Sequence, residues 1–152
     1  MAITTLEART QIVDELGAAA DQVALAVACL GAAYELLDEL TADRLESELF
    51  RPVQRALGRA KRTNADFAQR YGLAVPVANE ASPGVPSQGV RAFVDRAVVA
   101  ATEASRLIAE LQDSMLPIEA GDPELRSGLA EARELVDRLP GAARDFLRTL
   151  GR

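Results

Sequence analysis

Apolar residues recur along most of this chain at alternating steps of three and four positions, the spacing of one face of an α-helix. The first such stripe lies within residues 5–40 and consists of Val13, Leu16, Ala20, Val23, Val27, Leu30, Tyr34 and Leu37. Further apolar positions flank it on both sides, so the predicted buried face is wide, as in a bundle core. We therefore predict an amphipathic first helix over residues 5–40.

A second stripe predicts a helix over residues 42–71, separated from the first by a turn near Thr41, which is a candidate N-cap. No glycine or proline interrupts residues 32–51, so the alternative is one very long helix that bends at Pro52. Proline removes a backbone hydrogen bond and clashes with the preceding turn. Because the stripe keeps its phase through Pro52, we expect a kink there and not a break.

Residues 73–86 contain three prolines and one glycine and form the one clear loop of the pattern. This loop is long for a helix connection, where about 2–8 residues is usual. Its apolar residues leave two alternatives open, a crossover that lies along the bundle or a mobile linker. Ser87 is a candidate N-cap, and it starts a third predicted helix over residues 87–115.

The fourth predicted helix covers residues 123–150. Asp122, Pro123 and Glu124 give it a strong start signal, with an acid at the cap and proline at the first helical position. Its stripe is unbroken across Pro140, which predicts a kink or a short final helix in the same direction.

Together these segments predict an all-α protein, an up-down-up-down four-helix bundle with kinked helices that forms a single domain over residues 1–152. Composition agrees with this interpretation. Aromatic residues make up only 4% of the chain and tryptophan is absent, whereas strands favour aromatic and β-branched residues. At 152 residues, the chain can bury a core without disulfides or metals.

The net charge is −6, which disfavours general binding of nucleic acid because that binding depends on cations that neutralise phosphates. Lys61 is the only lysine among 17 basic residues, a bias that a GC-rich bacterial genome explains. Cys29 is the only cysteine and is expected to be a small core residue, compatible with a reducing compartment.

The N-terminus shows no basic start followed by an apolar run, so no signal peptide is expected. The longest uncharged run, residues 22–34, is shorter than the roughly 20 residues that span a bilayer. We therefore expect a cytoplasmic protein that does not enter a membrane.

The chain has no histidine, which excludes several kinds of catalytic site. Ser-His-Asp and Cys-His arrangements cannot form, nor can a zinc site with the usual ligands, a histidine-ligated haem or a ferritin-like di-iron site. No glycine-rich phosphate loop is present, since residues 84–89 lack both the spacing and a lysine. No cofactor is expected.

A magnesium site built only from carboxylates remains open, because hard cations accept oxygen ligands alone. The candidates are Glu35, Asp38, Glu39, Asp43 and Glu46, together with the pair Glu131 and Glu134. Helical nucleotide pyrophosphohydrolases use Glu-x-x-Glu and Glu-x-x-Asp pairs. The resemblance here is limited to Glu35-x-x-Asp38 and Glu131-x-x-Glu134, which occur in the reverse order and far apart. Such short patterns arise by chance in any charged helix, and a solvated helix face is the simpler explanation.

The sharper feature is a row of arginines in the second predicted helix, which we call the arginine row. Its members are Arg51, Arg55, Arg59 and Arg62. Steps of four, four and three place them on one helix face, where like charges repel. Either acids of adjacent helices offset this repulsion, with candidates Asp14, Glu15, Glu35, Glu103 and Glu110, or a bound anion or acidic partner does.

Asn64 falls on the apolar stripe of the same helix. A polar residue at such a position often fixes the register between helices, and it could instead contact a ligand. In the first helix, small residues at Gly17, Ala24, Ala28 and Gly31 predict the close approach of a neighbouring backbone, within the chain or in a second copy.

Three functions remain as hypotheses. The first is a non-enzymatic interaction module that binds a protein partner or itself, for example as a homodimer. The second is a protein that binds a small phosphate- or carboxylate-bearing ligand through the arginine row and Asn64. The third is a Mg²⁺-dependent nucleotide hydrolase.

Overall fold

A computed structural model describes residues 3–150, and all regular secondary structure within that range is helical. The helices are α1 (Thr5–Tyr34), α2 (Glu39–Leu45), α3 (Arg51–Arg70), α4 (Val90–Asp113), α5 (Leu116–Glu119), α6 (Pro123–Asp137) and α7 (Leu139–Leu150). A π-helical turn, Glu46–Phe50, joins α2 to α3, and a 3₁₀ turn, Pro86–Gln88, precedes α4. The prediction of an all-α protein is confirmed.

The first helix is shorter than predicted. It begins with a capping box, in which the Glu7 amide donates to Thr4 Oγ1 and the Thr4 amide donates to the Glu7 carboxylate. It ends at Tyr34, six residues before the predicted boundary at residue 40. The alternative of one very long helix is therefore wrong.

The turn between α1 and α2 is capped by Asp38. Its Oδ1 accepts a hydrogen bond of 2.9 Å from the Thr41 amide, so the predicted cap at Thr41 is wrong. Both residue types cap helices, and the carboxylate of aspartate ranks above the hydroxyl of threonine in that role. The second helical segment therefore begins at Glu39 and not at residue 42.

The helical path continues through Pro52, which is the second residue of α3. In the π-helical turn before it, the Arg51 amide donates to the carbonyl of Glu46, five residues back. Pro52 has no amide hydrogen to donate to the preceding turn, and its ring crowds that turn. The π-helical turn thus lies directly before Pro52, the residue that cannot donate a regular α-helical hydrogen bond.

The two later helical segments also differ from their predicted bounds. Gly89, at φ 86°, precedes α4, and Ser87 lies within the 3₁₀ turn, so the predicted N-cap at Ser87 is wrong. The segment predicted over residues 123–150 is divided into α6 and α7, with Pro140 in the first turn of α7, where proline is tolerated. Asp122 caps α6 as predicted, accepting from the Leu125 amide at 2.8 Å.

The hydrophobic core consists of two clusters, one toward each end of the long helices. One cluster combines residues 23–33 of α1 with residues 45–56, 93–104 and 135–147. The other combines residues 8–20 of α1 with residues 60–68, 108–120 and 125–132. Therefore α3 and α4 both run opposite to α1, whereas α6 and α7 run with it.

These helix directions differ from the predicted up-down-up-down order, because α4 runs parallel to α3. The physical reason is the segment between α3 and α4, residues 71–89, which we call the crossover segment. It returns along the outside of α1, where the Asn79 side-chain amide donates to Asp21 at 3.1 Å, and Arg96 of α4 donates to the Pro83 carbonyl. Of the two alternatives for this loop, the structure has the crossover.

By length and composition alone, α1 is apolar enough to cross a membrane. The sequence interpretation counted only the uncharged run, residues 22–34, which is too short to cross a membrane. A stretch of α1 that includes up to two charged residues is longer and still apolar. Core helices of water-soluble proteins and signal sequences have the same properties, so the finding is weak evidence of a membrane span. In the structure, α1 contributes to both core clusters.

Candidate functional site

The arginine row lies along one side of α3, and its member Arg59 contacts Glu131 of α6. Arg51, Arg55 and Arg62 are exposed, and Arg59 is half-buried. The guanidinium of Arg59 donates to Glu131 of α6 at 2.7 Å and to the Thr63 hydroxyl at 3.3 Å. All four arginines thus share one side of the helix, and tertiary packing places one carboxylate, that of Glu131, beside them.

Three of the four arginines lie close enough to Glu131 for their positive charges to affect its carboxylate. The hydrogen bond from Arg59 is the main reason why its pKa is lowered, and the positive charges of Arg59, Arg55 and Arg62 lower that pKa further. The acids expected to offset the row do not do so. None of Asp14, Glu15, Glu35, Glu103 and Glu110 forms an ion pair with it among residues 3–150. Glu103 and Glu110 instead pair with Arg106.

The row therefore carries an excess of positive charge. Within the described range, Arg51, Arg55 and Arg62 have no carboxylate within 4.0 Å, and Glu131 neutralises one charge of the four. The result is a positively charged, solvent-facing strip on a protein whose net charge is −6.

Asn64 does not join the arginine row. Its side chain is only 2% exposed, and its Nδ2 donates to the Val13 carbonyl of α1 at 3.1 Å, on a different side of α3. Its Oδ1 is buried and accepts no hydrogen bond from the described part of the chain. The predicted set of five site residues is thus divided between two faces of one helix.

Asn64 borders a cleft of about 510 Å³ between α1, α3 and the crossover segment. Apolar groups dominate its walls, including Val75 and Pro76 of the crossover. Sequence reasoning did not predict this cleft. The available signal was Gly17, where an added Cβ would lie 3.7 Å from Asn64 Nδ2 and 4.0 Å from Pro76. The predicted close approach of a neighbouring backbone is not found at Gly17, where only side-chain atoms lie within 4 Å of an added Cβ, or at Gly31, where a Cβ would meet nothing within 4 Å.

A second polar cluster ties the ends of three helices together around Asp122. Its two carboxylate oxygens accept from Arg70 at 2.7 and 2.8 Å, and also from the Tyr71 hydroxyl and the Leu125 amide. Burial raises the pKa of Asp122, but these hydrogen bonds together hold its pKa below the usual value. The guanidinium of Arg9 stacks 3.9 Å from the Tyr71 ring centre. This cluster is a structural clamp, since each of its acceptors already has a partner.

The carboxylates proposed for magnesium are dispersed. Residues 3–150 contain no group of three or more aspartate, glutamate or cysteine side chains placed to share a metal ion. Of the pair on α6, Glu131 binds Arg59 and Glu134 binds Arg138 at 3.2 Å.

Cys29 lies in the core, as expected from the sequence. Burial raises the pKa of its thiol, and the charge of Arg96 opposes this shift only in part. The protonated thiol is not a nucleophile at neutral pH.

Comparisons with known proteins give no family for this chain. No family model matches it, and neither a curated protein nor a solved structure does. The features that bear on function are therefore the arginine row, the cleft and the fold.

Proposed function

We propose that this chain is a non-catalytic helical module that binds an acidic protein surface through the arginine row. The observation that supports this proposal is the exposure of Arg51, Arg55 and Arg62 without a carboxylate partner in the described structure. Arginine binds carboxylates through two parallel hydrogen bonds, so a row of guanidiniums suits a surface of aspartates and glutamates.

The scaffold for this surface is a four-helix bundle in an up-down-down-up order, in our proposal a single domain. Its four long units are α1, α2 with α3, α4, and α6 with α7. The two core clusters support this arrangement because every neighbouring pair of units is then antiparallel. Such packing would hold the arginines at fixed spacing, which lowers the entropy lost on binding.

The charge distribution favours an acidic partner over a small anion. Residues 42–71 hold seven basic and four acidic residues, a net charge of +3, and the rest of the chain has a net charge of −9. No member of the row lines the cleft beside Asn64. An extended charged strip matches a macromolecular surface better than it matches a single phosphate or carboxylate.

A second copy of this chain is one such acidic surface, so a homodimer is a special case of the proposal. The small-residue face of α1 is less favoured as its interface, because Gly17 lies inside the chain's own cleft between α1, α3 and the crossover segment. We propose a cytoplasmic location with α1 as a core helix, and no binding of nucleic acid.

The test is fluorescence anisotropy with a labelled deca-glutamate peptide at low and high salt. Arg51→Ala with Arg55→Ala should weaken binding about tenfold, since exposed ion pairs contribute about 0.2–1 kcal/mol each. The matched control is Arg91→Ala with Arg144→Ala, which removes two exposed arginines outside the row. Equal affinities for the two double variants would overturn the proposal.

Two further measurements separate the related possibilities. Light scattering at low and high salt reports on the homodimer, which should dissociate as salt screens the charges. Inorganic pyrophosphate and a short DNA duplex serve as competitors. If pyrophosphate displaces the peptide at equal molar concentration of anion, the row is a small-anion site instead.

A further inference from the structure

The charge of the chain changes sign between the end of α1 and the middle of α3. Residues 35–48, which we call the acidic half, hold six acidic residues and one arginine, a net charge of −5. Residues 51–62, which we call the basic half, hold five basic residues and no acid, a net charge of +5. Because α2, the π-helical turn and α3 follow one another on a continuous helical path, the two halves cannot fold back on each other.

Two acids of the acidic half have no partner in the described structure. Glu39 and Asp43 are exposed, and neither forms an ion pair within residues 3–150. The helix dipole explains Glu39, which is in the first turn of α2. It does not explain Asp43, which lies beyond that turn. The acidic half thus has unpaired exposed charge, as the arginine row does, with the opposite sign.

Exposed residues at intervals of four connect the two halves in what we call the charged stripe. Its members are Glu39, Asp43, Ser47, Arg51 and Arg55, all of them exposed. A step of four is slightly more than one α-helical turn and slightly less than one π-helical turn, because π-helical hydrogen bonds span five residues. The π-helical turn therefore counteracts the drift of the stripe around the helix, and its acids and arginines share one side.

We infer that the charged stripe is a two-fold interface, at which two copies of this chain pair with their stripes antiparallel and Ser47 at the centre. A residue four positions before Ser47 then lies opposite a residue four positions after it, so Asp43 faces the partner's Arg51. At twice that distance, Glu39 faces the partner's Arg55. Two-fold symmetry repeats both contacts and gives four ion pairs.

This inference rests on the proposed function, because it uses the arginine row, and it names the acidic surface as the acidic half of a second copy. Charge complementarity selects the orientation, since parallel stripes would place acids opposite acids and arginines opposite arginines. In the antiparallel arrangement, the opposite charges of the two halves neutralise each other across the interface.

The dimer should be weak and sensitive to salt. The stripe from Glu39 to Arg55 is about 24 Å long at 1.5 Å per residue, and a helix is about 10 Å wide. Such a contact is smaller than the standard interface, which buries about 800 Å² on each partner. We therefore expect a dissociation constant of about 10–100 μM at low salt, and dissociation as added salt screens the exposed ion pairs.

The experiment is sedimentation velocity on the native chain and on two charge-reversed variants. Glu39→Arg with Asp43→Arg makes the whole stripe basic, and Arg51→Glu with Arg55→Glu makes it acidic. Each variant alone should dimerise at least tenfold more weakly than the native protein. An equimolar mixture of the two variants should form a heterodimer, because it restores all four ion pairs.

The matched control is Glu80→Arg with Asp95→Arg. It reverses two exposed acids outside the charged stripe and changes the net charge as much as the basic variant does. This control should dimerise as the native protein does. If it loses the dimer to the same extent as the basic variant, net charge and not the stripe controls association, and the inference is wrong.

Cysteine cross-linking tests the register and stays informative if a charge-reversed variant fails to fold. In a Cys29→Ala background, Ser47→Cys lies on the two-fold axis and should form a disulfide-linked dimer in oxidised glutathione. A disulfide requires two Cα atoms within about 7 Å of each other. Gln54→Cys is also exposed but lies away from the axis, so it should cross-link at least tenfold more slowly.

Three results would overturn the inference: a native chain that is monomeric at about 200 μM in low salt, well above the expected dissociation constant; a dimer that survives both charge reversals; or faster cross-linking at Gln54→Cys than at Ser47→Cys. Binding of the deca-glutamate peptide reports separately on the proposed function. A monomeric chain that binds the peptide would overturn this inference alone, whereas a monomeric chain that does not bind it would overturn both.

Discussion

Two consecutive buried polar residues on α3 contact two different neighbouring helices. Thr63 lies against Gly128 of α6 and accepts a hydrogen bond from Arg59 of its own helix. Asn64 faces α1, where it donates to the Val13 carbonyl. The sequence singled out Asn64 because it interrupts an apolar stripe. It gave no reason to single out Thr63, whose importance comes from its neighbour across the helix interface, Gly128.

Gly128 of α6 lies in tight contact with Thr63 of α3. A Cβ at this position would lie 2.5 Å from Thr63 Cγ2 and 2.8 Å from Thr63 Cβ, and closer still to the hydroxyl oxygen. We predict that Gly128→Ala lowers the free energy of unfolding by about 1–3 kcal/mol, the usual cost of overpacking a core. Urea unfolding followed by circular dichroism measures this change.

The control for this prediction is Gly58→Ala. Gly58 lies within α3, and a Cβ there would meet nothing within 4 Å. Alanine is the better helix former, so this variant should be more stable than the native protein by about 0.5–1 kcal/mol. Equal stability of the two variants would show that α3 and α6 are not in close contact at Gly128.

At the scale of elements, the sequence located the long helices but misplaced several of their ends. The stripes follow from local geometry, since a helix repeats every 3.6 residues whatever it packs against. The ends depend on which of several capping residues is used. Between residues 35 and 41 there are two candidate caps, Asp38 and Thr41, and only the structure shows that Asp38 accepts the hydrogen bond.

This choice of cap predicts a difference between two variants. Asp38→Ala should lower the melting temperature at pH 7, and Thr41→Ala should lower it less, since the Thr41 amide keeps its partner in the second variant. Thermal unfolding by circular dichroism provides the measurement. A larger loss in Thr41→Ala would restore the cap expected from the sequence.

The effect of Asp38 should also depend on pH with a definite sign. The hydrogen bond from the Thr41 amide is the main reason why the pKa of Asp38 is lowered from 3.8. A lowered carboxyl pKa stabilises the fold above the unfolded-state value and loses this contribution as the pH falls through the folded-state value. The difference between the native protein and Asp38→Ala should therefore shrink as the pH falls below 3.8.

At the scale of the whole molecule, the path of the crossover segment sets the direction of the third long helix. A short connection would have returned α4 antiparallel to α3. The crossover segment instead runs back along α1 before α4 begins, so α3 and α4 are parallel and lie diagonally across the bundle. The length of the loop and its apolar residues were visible in the sequence, but its path was not.

The direction of α4 can be tested with a spin label at its C-terminal end. We predict that a nitroxide on Asp113→Cys, in a Cys29→Ala background, broadens the amides of residues 5–16 and leaves those of residues 30–34 sharp. A 30-residue helix is about 45 Å long, so the two ends of α1 are well resolved. Broadening confined to residues 30–34 would indicate an up-down-up-down order.

The sequence by itself determined that this protein is helical, which faces of its helices are apolar, and that four arginines share one side of α3. These features are local, because they depend on residues three or four positions apart. Only the tertiary structure decided that Glu131 pairs with Arg59 across 72 residues, that Asn64 faces a cleft away from the arginine row, and that α4 runs parallel to α3. Such features depend on which surfaces meet, and local periodicity constrains the faces of helices without specifying their neighbours.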